Sequence, residues 1–291
     1  MPSTITLKRR ITSIKNTRQI TKAMQLVSAS KLRRAQEYAN QSKTYHELAQ
    51  ELMIRLSNIK EIESQPLFKK REVKKRLYVI ITSSSGLAGA YNANVLKLLT
   101  SDLSQFKGGS AANQVISVGN KGAQFVRRLK DVELLAVYPS LGDHPTANDI
   151  RPLLNTIIDK YKNGDVDEVR LIYTIFNSTI SQKANDSPIL PAQKLEVDEK
   201  LPNLYNFEPD IESVVDQVAT RLIEAEIWQA VLESLASEHA MRMVAMKNAT
   251  DNAKDLIDDY TLELNTARQA GITQELAEIS GGVEALKAVG A

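Results

Sequence analysis

The chain has 291 residues, 43% hydrophobic and 25% charged, which is an ordinary globular composition and excludes wholesale disorder. Lys+Arg at 37 against Asp+Glu at 35 leaves a net charge of +2, giving no global signal for nucleic acid. Cysteine is absent and only His46, His144 and His239 supply imidazole, so disulfides, cysteine nucleophiles and a metal site are not expected.

The N-terminus, MPSTITLKRRITSIKNTRQ, lacks the apolar stretch of a signal peptide, and no apolar run is long enough to span a bilayer. The chain is therefore expected in the cytosol or on the cytosolic face of a membrane. From Ser3 to Gln65 there is neither Gly nor Pro. Such an unpunctuated run predicts one long helix. Its apolar stripe steps by three and four through Leu7, Ile11 and Ile14, then Ala35, Tyr38, Ser42, Tyr45, Ala49, Leu52, Leu56 and Ile59. Residues 1–36 carry nine Lys/Arg and no Asp/Glu, so some of these cations should face an acidic partner.

The middle, 66–209, holds eight of the nine prolines and eight of the twelve glycines. Strands are predicted at LYVIIT (77–82), QVISVG (114–119), ELLAVYP (133–139) and EVRLIYTIFN (168–177), with a proline-limited edge strand within 187–197. Helices are predicted around 93–106, 121–130 and 150–162, the last capped by Asn148/Asp149. This alternation implies a Rossmann-like parallel sheet covered on both faces. The turn SSSGLAGAYN is where such folds bind phosphate, yet neither G-x-G-x-x-G nor G-x-x-x-x-G-K-[ST] occurs. Ser83, Ser84 and Ser85 have no sequence-adjacent base. KGGSAAN (107–113) reads as a flexible surface loop, and His144, in the turn GDHPTAND, reads as solvated.

From Asp210 to Ala270 Gly and Pro are again absent. The stripe Trp228, Leu232, Leu235, His239, Met243, Met246, Ala249, Ala253, Ile257, Tyr260, Leu264, Ala267 predicts a second long helix. The two terminal helices are expected to pair as an antiparallel coiled coil. Residues 255–291 hold seven acids against Arg268 and Lys287, which complements the basic first helix. The expected fold class is α/β plus a long antiparallel coiled coil of the N- and C-terminal helices. Its domains are 1–65 (helix), 66–209 (α/β) and 210–291 (helix). The seam is thin, because Ala, Ser, His and Tyr stand where Leu would bury more area.

The segments ITKAMQLVSASKLRRAQ (20–36), ASEHAMRMVAMKNATDNAKDLI (236–257) and NTARQAGITQELAEISGG (265–282) resemble the terminal signatures of the gamma subunits of F-type ATP synthases. ITSSSGLAGAYNAN (81–94) is similar to the start of that family's central domain, although the family often has an acidic residue, a basic residue and a Cys in this loop. The resemblance runs end to end. It implies a rotor shaft without cofactor or catalytic site of its own, coupling rotation of the membrane c ring to the alpha/beta hexamer. The implied partners are the alpha and beta subunits, the epsilon subunit and the c-subunit ring, with no nucleic acid. Lys22, Met24 and Arg242 match positions facing an acidic region of beta. Arg268, Gln269, Thr273 and Glu275 match a higher contact with beta. Ile279, Val283 and Leu286 would form a bearing, with Gly281, Gly282 and Ala285 among them. Tyr45, Tyr205, Phe207 and Glu208 match a foot touching the c ring or epsilon. The missing insertion with a cysteine pair implies no thiol regulation, and a bacterial complex on the cytoplasmic face of the cell membrane is expected. On this reading Arg242→Glu impairs coupling while assembly survives. The alternatives are an α/β small-molecule enzyme with a coiled-coil arm, or a nucleic-acid-binding arm using the basic stretch 8–34.

Overall fold

Ser3 starts the first helix, its hydroxyl accepting from the Thr6 N–H at 3.3 Å. This computed structural model describes residues 3–57, 65–106, 113–140, 142, 145–192 and 211–289. The elements are α1 (Thr4–Ser57), β1 (Arg76–Ile81), α2 (Tyr91–Gln105), β2 (Asn113–Val118), α3 (Asn120–Val126), β3 (Glu133–Tyr138), α4 (Arg151–Lys162), β4 (Glu168–Phe176), β5 (Gln182–Leu190) and α5 (Ile211–Val289). They form two units, Met1–Val27 with Met243–Ala291, and Ser28–Arg242.

In the first unit, the N-terminal half of α1 and the C-terminal half of α5 pair antiparallel. Thr21 Oγ1 lies 2.9 Å from Thr250 Oγ1, and the Arg10 guanidinium sits over the Tyr260 ring at 5.9 Å. Leu7, Ile11 and Thr21 are buried from α1, and Met246, Ala253 and Ile257 from α5. These positions fit alternating steps of four and three, the seam of a coiled coil.

In the second unit the same period continues. Ser28, Leu32, Ala35, Ala39 and Ser42 are buried on α1, and Leu232, Ala236 and His239 on α5. The seam thus runs through Ala39 and Ala236, where the sequence stripe favours Tyr38, Tyr45 and Leu235. Tyr38 and Leu235 are half-buried, and Tyr45 is 54% exposed. The small alanines let the backbones approach, which turns the tyrosines to the flank. Lys31 on α1 faces Glu238 on α5, and Lys43 faces Glu233, which keeps the antiparallel order.

The sheet of this unit has strand order β3-β2-β1-β4-β5. β1 pairs parallel with β2 and β4, and β2 with β3, while β5 pairs antiparallel with β4. Alternation on β1 divides the core. Leu77, Val79 and Ile81 face a cluster with Leu153, Ile157 and Tyr161 of α4 and Val215, Ala219, Ile223 and Ile227 of α5. Tyr78 and Ile80 face Val95 and Leu99 of α2 and Val126 of α3. The predicted edge strand is β5, and it begins earlier in the chain than expected. The helix α4 follows a short 3₁₀ turn, Ala147–Ile150. The capping box belongs to that turn and pairs Thr146 with Asp149, whose Oδ2 accepts from the Thr146 N–H at 2.8 Å; α4 itself starts after Ile150 with no side-chain cap, and Asn148 takes no part.

Two glycines position the crest of the sheet. Gly119, at φ +90, would bring a Cβ within 2.0 Å of the Thr82 carbonyl oxygen. A Cβ on Gly122 would lie 2.6 Å from Ser117 Oγ, 2.7 Å from Ile80 Cδ1 and 2.8 Å from Thr82 Oγ1. The Gly122 N–H instead donates to Thr82 Oγ1 at 2.9 Å, drawing α3 against the end of β1.

Candidate partner-binding surface

The loop after β1 is where a phosphate would bind in a fold of this kind. Its three serines are each tied to a different part of the second unit. The Asn92 side-chain amide donates to Ser83 Oγ at 2.8 Å, and Ser83 Oγ donates to the Ser85 carbonyl at 2.6 Å. Ser140 Oγ, just past β3, donates to Ser84 Oγ at 2.8 Å. Arg242 Nη2 on α5 donates to Ser85 Oγ at 3.1 Å. Hydroxyls held this way knit elements together and lack the adjacent base a nucleophile needs. Among the described residues no three His, Cys, Asp or Glu side chains are grouped to hold a metal ion.

Arg242 is the first of the expected partner contacts, and it is only 8% exposed. Its guanidinium pairs with Glu238 at 2.8 Å, one turn away, and reaches Ser85 and the Gly86 carbonyl. Burial pushes the Glu238 carboxyl up, and Arg242 opposes that rise. The Tyr91 phenol, pushed up by burial, faces the same pair. Nothing local in the chain signals this internal network, because Arg242 and Ser85 stand 157 residues apart.

The other contacts fall on open helix surface of the first unit. Lys22 is exposed, its ammonium 3.3 Å from Gln25 Oε1, and Met24 is half-buried. Lys8, Arg9, Lys15 and Arg18 are also exposed. No cation of residues 4–27 forms an ion pair with an acid of residues 243–283 among the described residues. The expected attraction between the two helices is thus not realised as close pairs. The positive face remains open.

Arg268, Gln269, Thr273 and Glu275 are all exposed on α5; the Thr273 hydroxyl donates to the Gln269 carbonyl at 2.9 Å. Ile279 is 64% exposed and Val283 47%. The helix includes Leu286, whose side chain lies outside the described residues. A Cβ added at Gly281 or Gly282 would meet nothing within 4 Å. Sequence reasoning missed the rest of this face. Ile272 and Leu276 precede Ile279 and Val283 by the same steps of four and three, and all four are exposed. That spacing was legible. Tyr45, in the second unit, is exposed beside a groove of about 760 Å³ lined by Leu48, Ala49, Leu154, Val218 and Leu222. Tyr205, Phe207 and Glu208 lie outside the described residues, as do His144 and the loop 107–112. No helix among the described residues is long and apolar enough to cross a membrane.

Paired terminal helices with open basic and apolar faces, joined to an α/β sheet, define an assembly subunit. Its surface is built to be covered by other chains. A family model described as ATP synthase matches residues 3–286. The ATP synthase gamma chain of Macrococcus caseolyticus is 41% identical over 290 residues, covering 99% of this chain and 100% of that one. The gamma chain of Moorella thermoacetica is 42% identical over 281 residues, covering 97% and 98%. The chain belongs to the ATP synthase gamma chain family. Solved structures share the fold. A chain of the Tetrahymena thermophila mitochondrial ATP synthase central stalk and c ring superposes with a TM-score of 0.60 at 24% identity, covering 79% of this chain and 99% of that one. A chain of the Euglena gracilis mitochondrial ATP synthase rotor gives 0.64 at 17% identity, covering 92% and 98%.

Proposed function

We propose that this chain is the central rotor shaft of an F-type ATP synthase. It couples ion-driven rotation of a c ring to conformational change in an alpha/beta hexamer. The observation that supports this most directly is the full-length match to bacterial gamma chains. The terminal segments 1–65 and 210–291 act as the shaft, and 66–209 forms the body near epsilon and the c ring. The chain holds no nucleotide and no catalytic site. It works as a peripheral subunit on the cytoplasmic face of a bacterial cell membrane.

The open cations from Lys8 to Lys22 meet acidic surface on beta, with Met24 beside them. Arg268, Gln269, Thr273 and Glu275 meet beta further along. Ile279, Val283 and Leu286 run in an apolar sleeve, and Tyr45, Tyr205, Phe207 and Glu208 form the foot. Arg242 differs: its guanidinium is engaged inside the chain, so it acts on the partner through the loop it holds at Ser85 and Gly86. Work is transmitted only if each shaft angle favours one conformation of a catalytic chain over another. An asymmetric face, basic on one helix and apolar near the end of the other, provides such a difference.

Affinity capture of the tagged chain from detergent-solubilised membranes tests this reading. Alpha, beta, epsilon and c subunits should co-purify at fixed stoichiometry, and the complex should pump ions on adding ATP. Capture of the chain alone from membranes that retain ATP synthase activity would overturn it.

A further inference from the structure

α5 crosses the β4–β5 hairpin on a face that carries Glu226, Gln229 and Glu233, spaced by three and four residues. The Ser187 hydroxyl of β5 donates to Glu226 at 3.4 Å. The groups facing this stretch are few. From β4 comes the Tyr173 phenol, which feels both Glu226 and Glu233 and is pushed up to about 12, mainly by burial. From α1, Lys43 faces Glu233 and pairs with Glu47 at 3.8 Å; β5 contributes Ser187 and Asn185. Burial also pushes Glu233 up, although Gln229 and the Phe176 backbone lower it. Among the described residues no cation acts on Glu226.

Gln229 is the second observation. Its amide nitrogen donates to Glu233 at 3.0 Å, yet its buried carbonyl oxygen accepts from nothing among the described residues. Thr174 Oγ1, on β4, is a further buried group without a partner among them. A buried acceptor without a donor is costly, and Glu226, one turn away on the same helix, can offer a hydroxyl as the protonated acid and none as the carboxylate.

We propose that this face of α5 is a proton-sensitive joint with the β4–β5 hairpin: it is tight with Glu226 as the neutral acid and loosens when Glu226 ionises. The energetics agree. Burial pushes the Glu226 carboxyl up to about 7, against 4.5 for the free side chain, with Ser187 pulling weakly the other way. A carboxyl raised in the folded state stabilises the fold at low pH, and that stability is lost as pH rises between the two values. The hairpin of a shaft body would thus respond to pH near neutrality. This goes beyond the rotor reading and does not need it, because the joint is internal to the chain.

Hydrogen exchange of the β5 amides, Gln182 to Leu190, in the full chain and its Glu226→Gln variant tests the joint. After correction for intrinsic exchange, the wild-type opening equilibrium should rise on the order of 50-fold from pH 5 to pH 8. The variant should stay flat and be better protected at pH 8. Parallel profiles would overturn the joint while leaving the rotor reading intact. If the variant does not fold, carboxyl NMR of ¹³C-Glu wild-type chain decides. Because Glu233 and Glu238 are also raised, the Glu226 signal is assigned: its titration near neutrality with the β5 amide shifts following the same curve supports the proposal, and its titration in the ordinary range, or β5 amides that do not follow it, refutes it.

Discussion

Replacing Arg242 with Ala separates two accounts of that residue. A side chain presented only to a partner would leave the isolated chain as stable as before. Here the Arg242 and Glu238 side chains are each 10% exposed and 2.8 Å apart. Removing the arginine leaves a buried carboxylate without its nearest cation. Breaking a buried pair in this way costs about 3–5 kcal/mol, and Lys31, which also faces Glu238, sets the expectation at the low end, about 3 kcal/mol. The pH dependence has a definite sign. Burial already pushes Glu238 up, and Arg242 restrains it. Without Arg242 the folded-state pKa moves further above its unfolded value, so stability is retained in acid and lost as pH rises. The cost should be largest at pH 8 and shrink toward pH 5, where Glu238 can bind a proton. Urea titrations of wild type and variant at both pH values measure this. A loss below about 1 kcal/mol, or one equal at both pH values, would refute the internal role. Arg242→Glu should be worse than Ala, because it sets two buried carboxylates one turn apart. Any coupling defect in that variant must then be read beside its stability.

Gly122→Ala should destabilise the second unit by roughly 2–3 kcal/mol, since the new methyl meets Ser117, Ile80 and Thr82 inside contact distance; thermal denaturation measures it, and an unchanged midpoint would mean α3 can move away at no cost. Leu276→Asp, at a position 60% exposed, should shift stability of the isolated chain by no more than about 0.5 kcal/mol while weakening its association with purified alpha/beta hexamer at least tenfold. Equal association would remove Leu276 from the partner face.

The strands, both long helices and the strand–helix alternation were legible because each rests on local chemistry. LYVIIT and EVRLIYTIF are β-branched runs bounded by turns, and sixty residues without Gly or Pro leave a chain little choice but helix. The direction of β5 was not legible. Its antiparallel pairing with β4 is set by the short turn through Ser178 and Ser181, where Asn177 and Ser178 N–H groups both donate to the Ser181 carbonyl. The seam was legible in period but not in register, because Tyr38 and Ala39 both fit a stripe of threes and fours. Packing chose the alanine. The internal placement of Arg242 could not be read either: a lone arginine on a polar helix face looks the same whether it meets a partner or the chain's own loop.

Burial along α5 shows where the chain stops stabilising itself. From Val215 to Arg242 the helix is backed by the sheet and by α1, with Ile223, Ile227, Leu232 and Ala236 all at 2% exposure or less. Beyond Ile257, among the described residues, only Tyr260, Leu264 and Ala267 are even half-buried, while Leu262, Ile272, Leu276 and Ile279 are each more than half exposed. Water gains nothing from such side chains; each contributes about 1.5–3 kcal/mol only when something covers it. Helix propensity does not explain the choice, since Gly271, Gly281 and Gly282 stand in this stretch, each costing about 1 kcal/mol relative to Ala. Glycines that weaken a helix, set among apolar residues that this chain leaves open, make sense where another protein encloses the helix and must move past it without catching on side chains. The same reasoning applies to the cations of α1, which among the described residues find no acid across their own helix pair. On the rotor reading proposed above, both features would draw their stabilisation from the partner, where it could differ from one orientation of the helix to the next.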